Sequence, residues 1–185
     1  ESIRESEEKA FDSYFKKLVE PVNVTLTKTF NEKDLLATDE NSLREILKSN
    51  GIDLSNLNDP WGNPLQTEFR YDKKNLTVEL WSLGADKTAK TVDDLTVFED
   101  NFSYFAPIEK TLNSAITEYQ QRTDDLITDY ANLRQELLRK NFDLDKLRDP
   151  WGNPYRFEFS IDRTNKLLSV KTNGANAKTD FSPSY

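Results

Sequence analysis

Apolar residues recur along this chain with two periods, and the alternation of those periods outlines its elements. Ala10, Phe11, Tyr14, Phe15, Leu18 and Val19 fall at helical spacing and predict an N-terminal helix. Val22, Val24 and Leu26 then alternate with polar residues, a local pattern that predicts strand, whereas the internal repeat described below predicts helix there, and both remain open. Ser42 and Glu45 form a capping-box pattern ahead of Leu43, Ile46 and Leu47, and Gly51 offers a left-handed exit. That reads as a short second helix. Gln66 to Tyr71 and Leu76 to Ser82 are β-rich and flank Asp72-Lys73-Lys74-Asn75, which predicts a hairpin, with a third strand at Leu95 to Phe98.

The same order then returns. Pro107 suits the first turn of a helix carrying Ile108, Leu112, Ile116 and Tyr119 on one side. Asn132 and Gln135 occupy the box positions before Leu133, Leu137 and Leu138, and Asn141 stands where the first copy has Gly51. Tyr155 to Ile161 and Lys166 to Thr172 flank Asp162-Arg163-Thr164-Asn165 as a second hairpin. An equivalent of the third strand would fall at the chain end, where Pro183 interrupts it.

The return is a duplication. Asp59-Pro60-Trp61-Gly62-Asn63-Pro64 recurs letter for letter as Asp149-Pro150-Trp151-Gly152-Asn153-Pro154, an offset of 90. The same offset pairs Leu43-Arg44 with Leu133-Arg134, Asp53-Leu54 with Asp143-Leu144, Glu68-Phe69 with Glu158-Phe159 and Gly84-Ala85 with Gly174-Ala175. From 43 to 86 there are 18 identities in 44 positions without a gap. The period is too long for a solenoid and right for two small domains, 1–100 and 101–185, meeting near Asp100 to Ser103. At the repeated hexapeptide, Asp, Pro and Gly sit at the first, second and fourth places of a type I turn, and Asn63 and Asn153 precede proline and launch strands. The tryptophan of each turn reads as an anchor over the helix–sheet junction, the competing role being an exposed ring for stacking a ligand.

Composition narrows the chemistry. Leu, Ile, Val and Phe make 47 of 185 residues, enough to fold around a thin core. With no Cys and no His, thiolate and imidazole catalysis, disulfides and the usual transition-metal sites are excluded. A net charge of −8 with scattered Lys and Arg argues against nucleic acid, and no apolar run approaches the length of a membrane span. The chain begins at Glu1 and contains no Met, so an upstream segment is expected to have been removed, leaving room there for a membrane anchor.

The order helix, short helix, DPWGNP turn, hairpin and Ser82-Leu83-Gly84-Ala85-Asp86 resembles the periplasmic part of the major pseudopilin of type II secretion. The likeness covers roughly 45–55 residues of each copy, a combination far more specific than one short motif. It implies an α+β fold: two tandem copies of an N-terminal helix plus short helix packed on a small, two- to three-stranded antiparallel sheet. It also implies an extracytoplasmic location, in the periplasm or at the cell surface, and a structural, non-enzymatic role with other proteins as partners, through self-assembly or parent-chain domains. The chain departs from that family in having two domains and no apolar N-terminal helix with a processing motif. Similar segments also look like small domains inside large bacterial surface proteins, some macroglobulin-like, and the two settings are weighed equally.

In that family the loop after the SLGAD segment commonly holds calcium. Carried over, Asp86 and Asp93 supply the carboxylates and Leu83 and Thr91 the backbone carbonyls, with Lys87-Thr88-Ala89-Lys90 replacing the family's glycines. In the second copy Asn176 and Pro183 stand at the ligand positions, so calcium is expected in the first copy alone. The opposing function class is a small carboxylate-dependent hydrolase or glycan-binding domain. Its candidate pairs are Asp93 with Asp94, Asp124 with Asp125 and Glu7 with Glu8, but adjacent residues diverge rather than face each other across a cleft. A free sheet edge for strand addition is the binding surface such a fold would offer.

Overall fold

The computed structural model describes residues 3–72, 74–162 and 165–173. The fold is α+β. Contacts group Glu1–Arg70 with Leu76–Phe102 as one compact unit, and Tyr71–Asn75 with Ser103–Tyr185 as another.

Unit 1 opens with α1 (Ile3–Lys33), followed by α2 (Glu40–Ser49), β1 (Gln66–Tyr71), β2 (Asn75–Ser82) and β3 (Leu95–Ser103), the strands lying in the order β1-β2-β3. The segment with two readings, residues 22–26, is helix. The burial pattern gives the reason. Phe15, Val19, Val22 and Leu26 are buried at helical intervals, whereas Val24, which a strand would place beside Val22 and Leu26, is 57% exposed. Pro21 sits on the exposed side of this helix, where the ring and the missing N–H disturb the ladder. The helix ends at Asp34, whose φ of 52° and N–H bond to Phe30 O close it in the left-handed conformation. On β2, Leu76, Val78 and Leu80 are fully buried, the inward alternation read from the sequence.

The capping box of α2 lies three residues earlier than the sequence pattern places it. Asp39, not Ser42, is the N-cap: its carboxylate accepts the Ser42 N–H at 2.8 Å, and Ser42 Oγ accepts the Asp39 N–H at 3.0 Å. Glu45 takes no part in this box. The second copy repeats the correction, with Asp129 accepting the Asn132 N–H at 2.9 Å in place of an Asn132–Gln135 box. A carboxylate accepts the free N–H groups as a hydroxyl or amide would, and its charge in addition meets the positive end of the helix dipole. The C-terminal ends follow the expectation. Gly51 (φ 79°) and Asn141 (φ 59°) are left-handed. Around each, two N–H groups fold back, Gly51 to Lys48 O and Ile52 to Leu47 O in one copy, Asn141 to Leu138 O and Phe142 to Leu137 O in the other.

Unit 2 contains α3 (Ala106–Thr123), α4 (Tyr130–Arg139), β4 (Arg156–Asp162) and β5 (Asn165–Lys171). Pro107 lies in the first turn of α3, and Ile108, Leu112 and Ala115 are its buried residues. Strands β4 and β5 pair antiparallel with Phe157 opposite Val170 and Phe159 opposite Leu168. The expected remnant of a third strand falls on residues 174–185, outside the described residues. Tyr71–Asn75, the bend between β1 and β2, counts with this unit: Tyr104 N–H donates to Lys74 O at 3.2 Å and its hydroxyl to Asp72 O at 2.9 Å.

The paired helix exits generate a test. A Cβ on Gly51 would touch nothing within 4 Å, so Gly51→Ala carries only the left-handed conformational penalty, about 1 kcal/mol of stability lost. Asn141→Gly removes part of the same penalty and should add about 0.5 kcal/mol. Urea unfolding followed by tryptophan fluorescence reads both.

Candidate functional site

The repeated hexapeptide is built around a buried carboxylate. Pro60 and Trp61 occupy the corners of a turn in which Gly62 N–H donates to Asp59 O at 3.0 Å, and Asp59 N–H then donates to Asn63 O at 2.8 Å. Asp59 is only 3% exposed. Its Oδ1 accepts the N–H groups of Trp61 and Asn63 at 3.0 and 2.7 Å, and its Oδ2 accepts Asn63 Nδ2 at 2.9 Å and Ser82 Oγ at 2.6 Å. Four donors satisfy a charge that burial would otherwise make untenable. Burial alone pushes the Asp59 carboxyl up, but the donors from Ser82, Asn63 and the backbone outweigh it and hold it below the ordinary carboxylate value. Asn63 Nδ2 also donates to Gly84 O at 3.0 Å, tying the turn to the segment after β2.

Unit 2 reproduces the arrangement. Asp149, 4% exposed, accepts Trp151 N–H at 2.9 Å, Asn153 N–H at 2.7 Å and Asn153 Nδ2 at 3.0 Å, with the Thr172 hydroxyl in the place of Ser82. The sequence reading named the turn but missed this fourth donor. The offset of 90 contained the signal, since it pairs two hydroxyl residues, Ser82 and Thr172.

Both turn tryptophans pack against other rings. Trp61 stacks on Phe11 with centroids 5.5 Å apart and planes at 21°. Trp151 stands edge-on to Tyr71 and Tyr104 at 5.1 and 5.2 Å.

The loop carrying Leu83, Asp86, Thr91 and Asp93 closes on Asp93. One carboxylate oxygen accepts the Asp86 N–H at 3.0 Å and the other the Thr91 hydroxyl at 2.7 Å, and these donors, Thr91 first, hold the Asp93 carboxyl below its usual range. Asp86 in turn accepts the Thr88 N–H at 2.8 Å. The loop turns through left-handed Gly84, Lys87 and Lys90. Asp94 accepts Lys90 N–H at 2.6 Å on one oxygen, while its other oxygen is buried without a donor. The donor set suits a hard cation in kind: oxygen only, with a second lone pair left on each bonded Asp93 oxygen. In number it is sparse, and among the described residues no three acidic side chains gather where a metal ion could be held. Asn176 and Pro183 lie outside the described residues.

Two of the three carboxylate pairs lie among the described residues. Asp93 and Asp94 are engaged within their own loop, and Asp124, left-handed at the end of α3, and Asp125 are exposed. The side chains of Glu7 and Glu8 lie outside the described residues. Buried Glu136 is held by Arg122 at 2.6 Å and Arg139 at 3.4 Å, and buried Glu79 by Arg70 and Thr96, which makes both structural. Within unit 1, a groove of ≈ 690 Å³ runs between α1 and β3, lined by Phe11, Phe15, Val19, Trp61, Leu95 and Phe98 among others. Strand β3 is outermost in its sheet. No described helix is long and apolar enough to cross a membrane. Comparison with family models, with curated proteins and with solved structures returns no match.

Three outcomes check this geometry. Asp59→Ala leaves four donors without an acceptor in a buried turn and should destabilise unit 1 by about 3 kcal/mol. Because the folded Asp59 value lies below the unfolded one of about 3.9, its contribution is whole above that value and disappears as pH falls through the folded value. Asp59→Asn should therefore flatten the acid limb of a melting-temperature profile. Gly84→Ala should be more damaging than Gly51→Ala in the same urea titration: its Cβ would come 2.4 Å from Asp93 O at a φ of 67°.

Proposed function

We propose that this chain is a non-enzymatic, extracytoplasmic structural and protein-interaction module made of two pseudopilin-like domains. Its setting is either a secretion or pilus-associated assembly or a larger bacterial surface protein. The observation that carries the reading is the buried-carboxylate turn built twice, with acidic groups engaged in holding the fold rather than facing a shared cleft. Duplication of a scaffold element, with no convergent group of acidic side chains among the described residues, fits a protein that works through its surfaces. The α1–β3 groove beside an outer strand supports the same reading, since an extended partner segment pairs with such an edge.

An antibody raised against this chain tests the location. Protease added to intact source cells, or after outer-membrane permeabilisation, should remove the signal, whereas protection until full lysis would place the chain in the cytoplasm and overturn the reading.

A calcium ion in the first unit is a second element of the proposal. It is supported by the closure of Asp86 onto Asp93 and by the Asp94 oxygen buried without a donor. Asp86 and Asp93 would hold the ion with the carbonyls of Leu83 and Thr91, against the charge of Lys87 and Lys90. Added calcium should raise the melting temperature of the wild type and leave Asp86→Ala unmoved. No shift in the wild type, or an equal one in the variant, dismisses the ion.

A further inference from the structure

The groove between α1 and β3 has an apolar floor and a charged rim. Phe15, Val19 and Phe98 are buried along it, while Phe11 and Leu95 remain 38% and 41% exposed. On the α1 side Asp12, Lys16 and Glu20 follow one another at single helical turns, all three exposed. Each neighbouring couple stands at the spacing of a helical ion pair, yet among the described residues none of the three side chains has a hydrogen-bond or ion-pair partner. The offset of 90 puts Phe102, Ala106 and Lys110 at the corresponding positions of the second copy. The succession of negative, positive and negative charge is therefore not repeated in unit 2, and the duplicated scaffold does not require it. Its spacing has a geometric counterpart. Eight residues of helix rise about 12 Å, and four steps along an extended strand cover about 13 Å with the first, third and fifth side chains on one face.

We propose that the α1–β3 groove binds an extended peptide segment of another protein in which basic, acidic and basic residues occupy alternate positions. Its backbone pairs with the outer strand β3. The basic side chains at its first and fifth positions reach Asp12 and Glu20, and the acidic side chain at its third meets Lys16. The methylene stems of the basic residues cover the exposed Phe11 and Leu95, so one side chain supplies both the apolar contact and the charge. Charge sets the register of the segment, and a strand with the opposite alternation is rejected by repulsion at all three positions. This deepens the reading of the protein as an interaction module and rests on it.

Fluorescence anisotropy with the whole chain and a labelled Thr-Lys-Thr-Glu-Thr-Lys-Thr peptide tests the proposal. The wild type should bind this peptide about tenfold more tightly than Thr-Glu-Thr-Lys-Thr-Glu-Thr, and about tenfold more tightly than the same residues in the order Thr-Lys-Lys-Thr-Thr-Glu-Thr. A triple variant, Asp12→Lys with Lys16→Glu and Glu20→Lys, keeps opposite charges on neighbouring turns and should melt as the wild type does while inverting the preference. That variant is still acidic overall, so attraction by net charge alone would leave the original preference in place. Amide exchange along β3 should slow when the first peptide is bound. No binding, equal affinity for the three peptides, a preference that survives the charge reversal, or β3 exchange unchanged by the peptide each overturns the proposal. A dimer of the chain alone that the triple variant abolishes assigns the groove to a second copy and overturns it as well. None of these results bears on the extracytoplasmic location, which the protease experiment reads separately.

Discussion

A carboxylate taken out of water and given four donors organises each half of this protein. Asp59 and Asp149 lie almost fully buried as the first residues of their turns. Each donor to a buried charge contributes about 1.5–3 kcal/mol, so the loss of any one of the four weakens the whole network. Its donors come from the turn itself and from a hydroxyl 23 residues further on, Ser82 in one copy and Thr172 in the other. The interaction therefore closes a loop that contains the whole hairpin, and the turn, the strands and the segment after them stand or fall together.

The two copies differ where their surroundings differ. Tyr14 and Tyr104 share a repeat position, yet one lies inside a helix and the other just before one. Tyr14 donates its hydroxyl to Asn58 O, while Tyr104 donates to Asp72 O. The far ends of the long helices agree again: Asp34 and Asp124, also 90 apart, are both left-handed, at φ 52° and 56°. Duplication has preserved the helix ends and the turn, the parts fixed by backbone geometry, and has let the N-terminal helix surface diverge.

Much of this was legible in the chain. Apolar spacing placed the short helices and hairpins, and the exchange of Gly51 for Asn141 marked the helix exits, because few residues tolerate that backbone. The strand-like alternation of Val22, Val24 and Leu26 was a false signal, since three residues fit period two by chance inside a longer helical stripe. Asp39 and Asp129 do not stand out as caps in the pattern, because the serine and asparagine three residues on resemble caps themselves. The fourth donor to each buried carboxylate, like the burial of Tyr104, depends on contacts distant in sequence, which periodicity does not register.

Asp59 and Asp149 hold the turns, Asp39 and Asp129 the helix caps, and Glu79 and Glu136 ion pairs, and the function proposed above rests on the edges and aromatic surfaces. Its foundation is the pair of buried turns. Amide hydrogen exchange at Trp61, Asn63, Trp151 and Asn153 measures them most directly, because these N–H groups are the donors to the two carboxylates. The expected result is exchange only through unfolding of the unit that contains each amide, with both turns protected. Exchange at either turn as rapid as in the exposed loop around Lys87 would contradict the account.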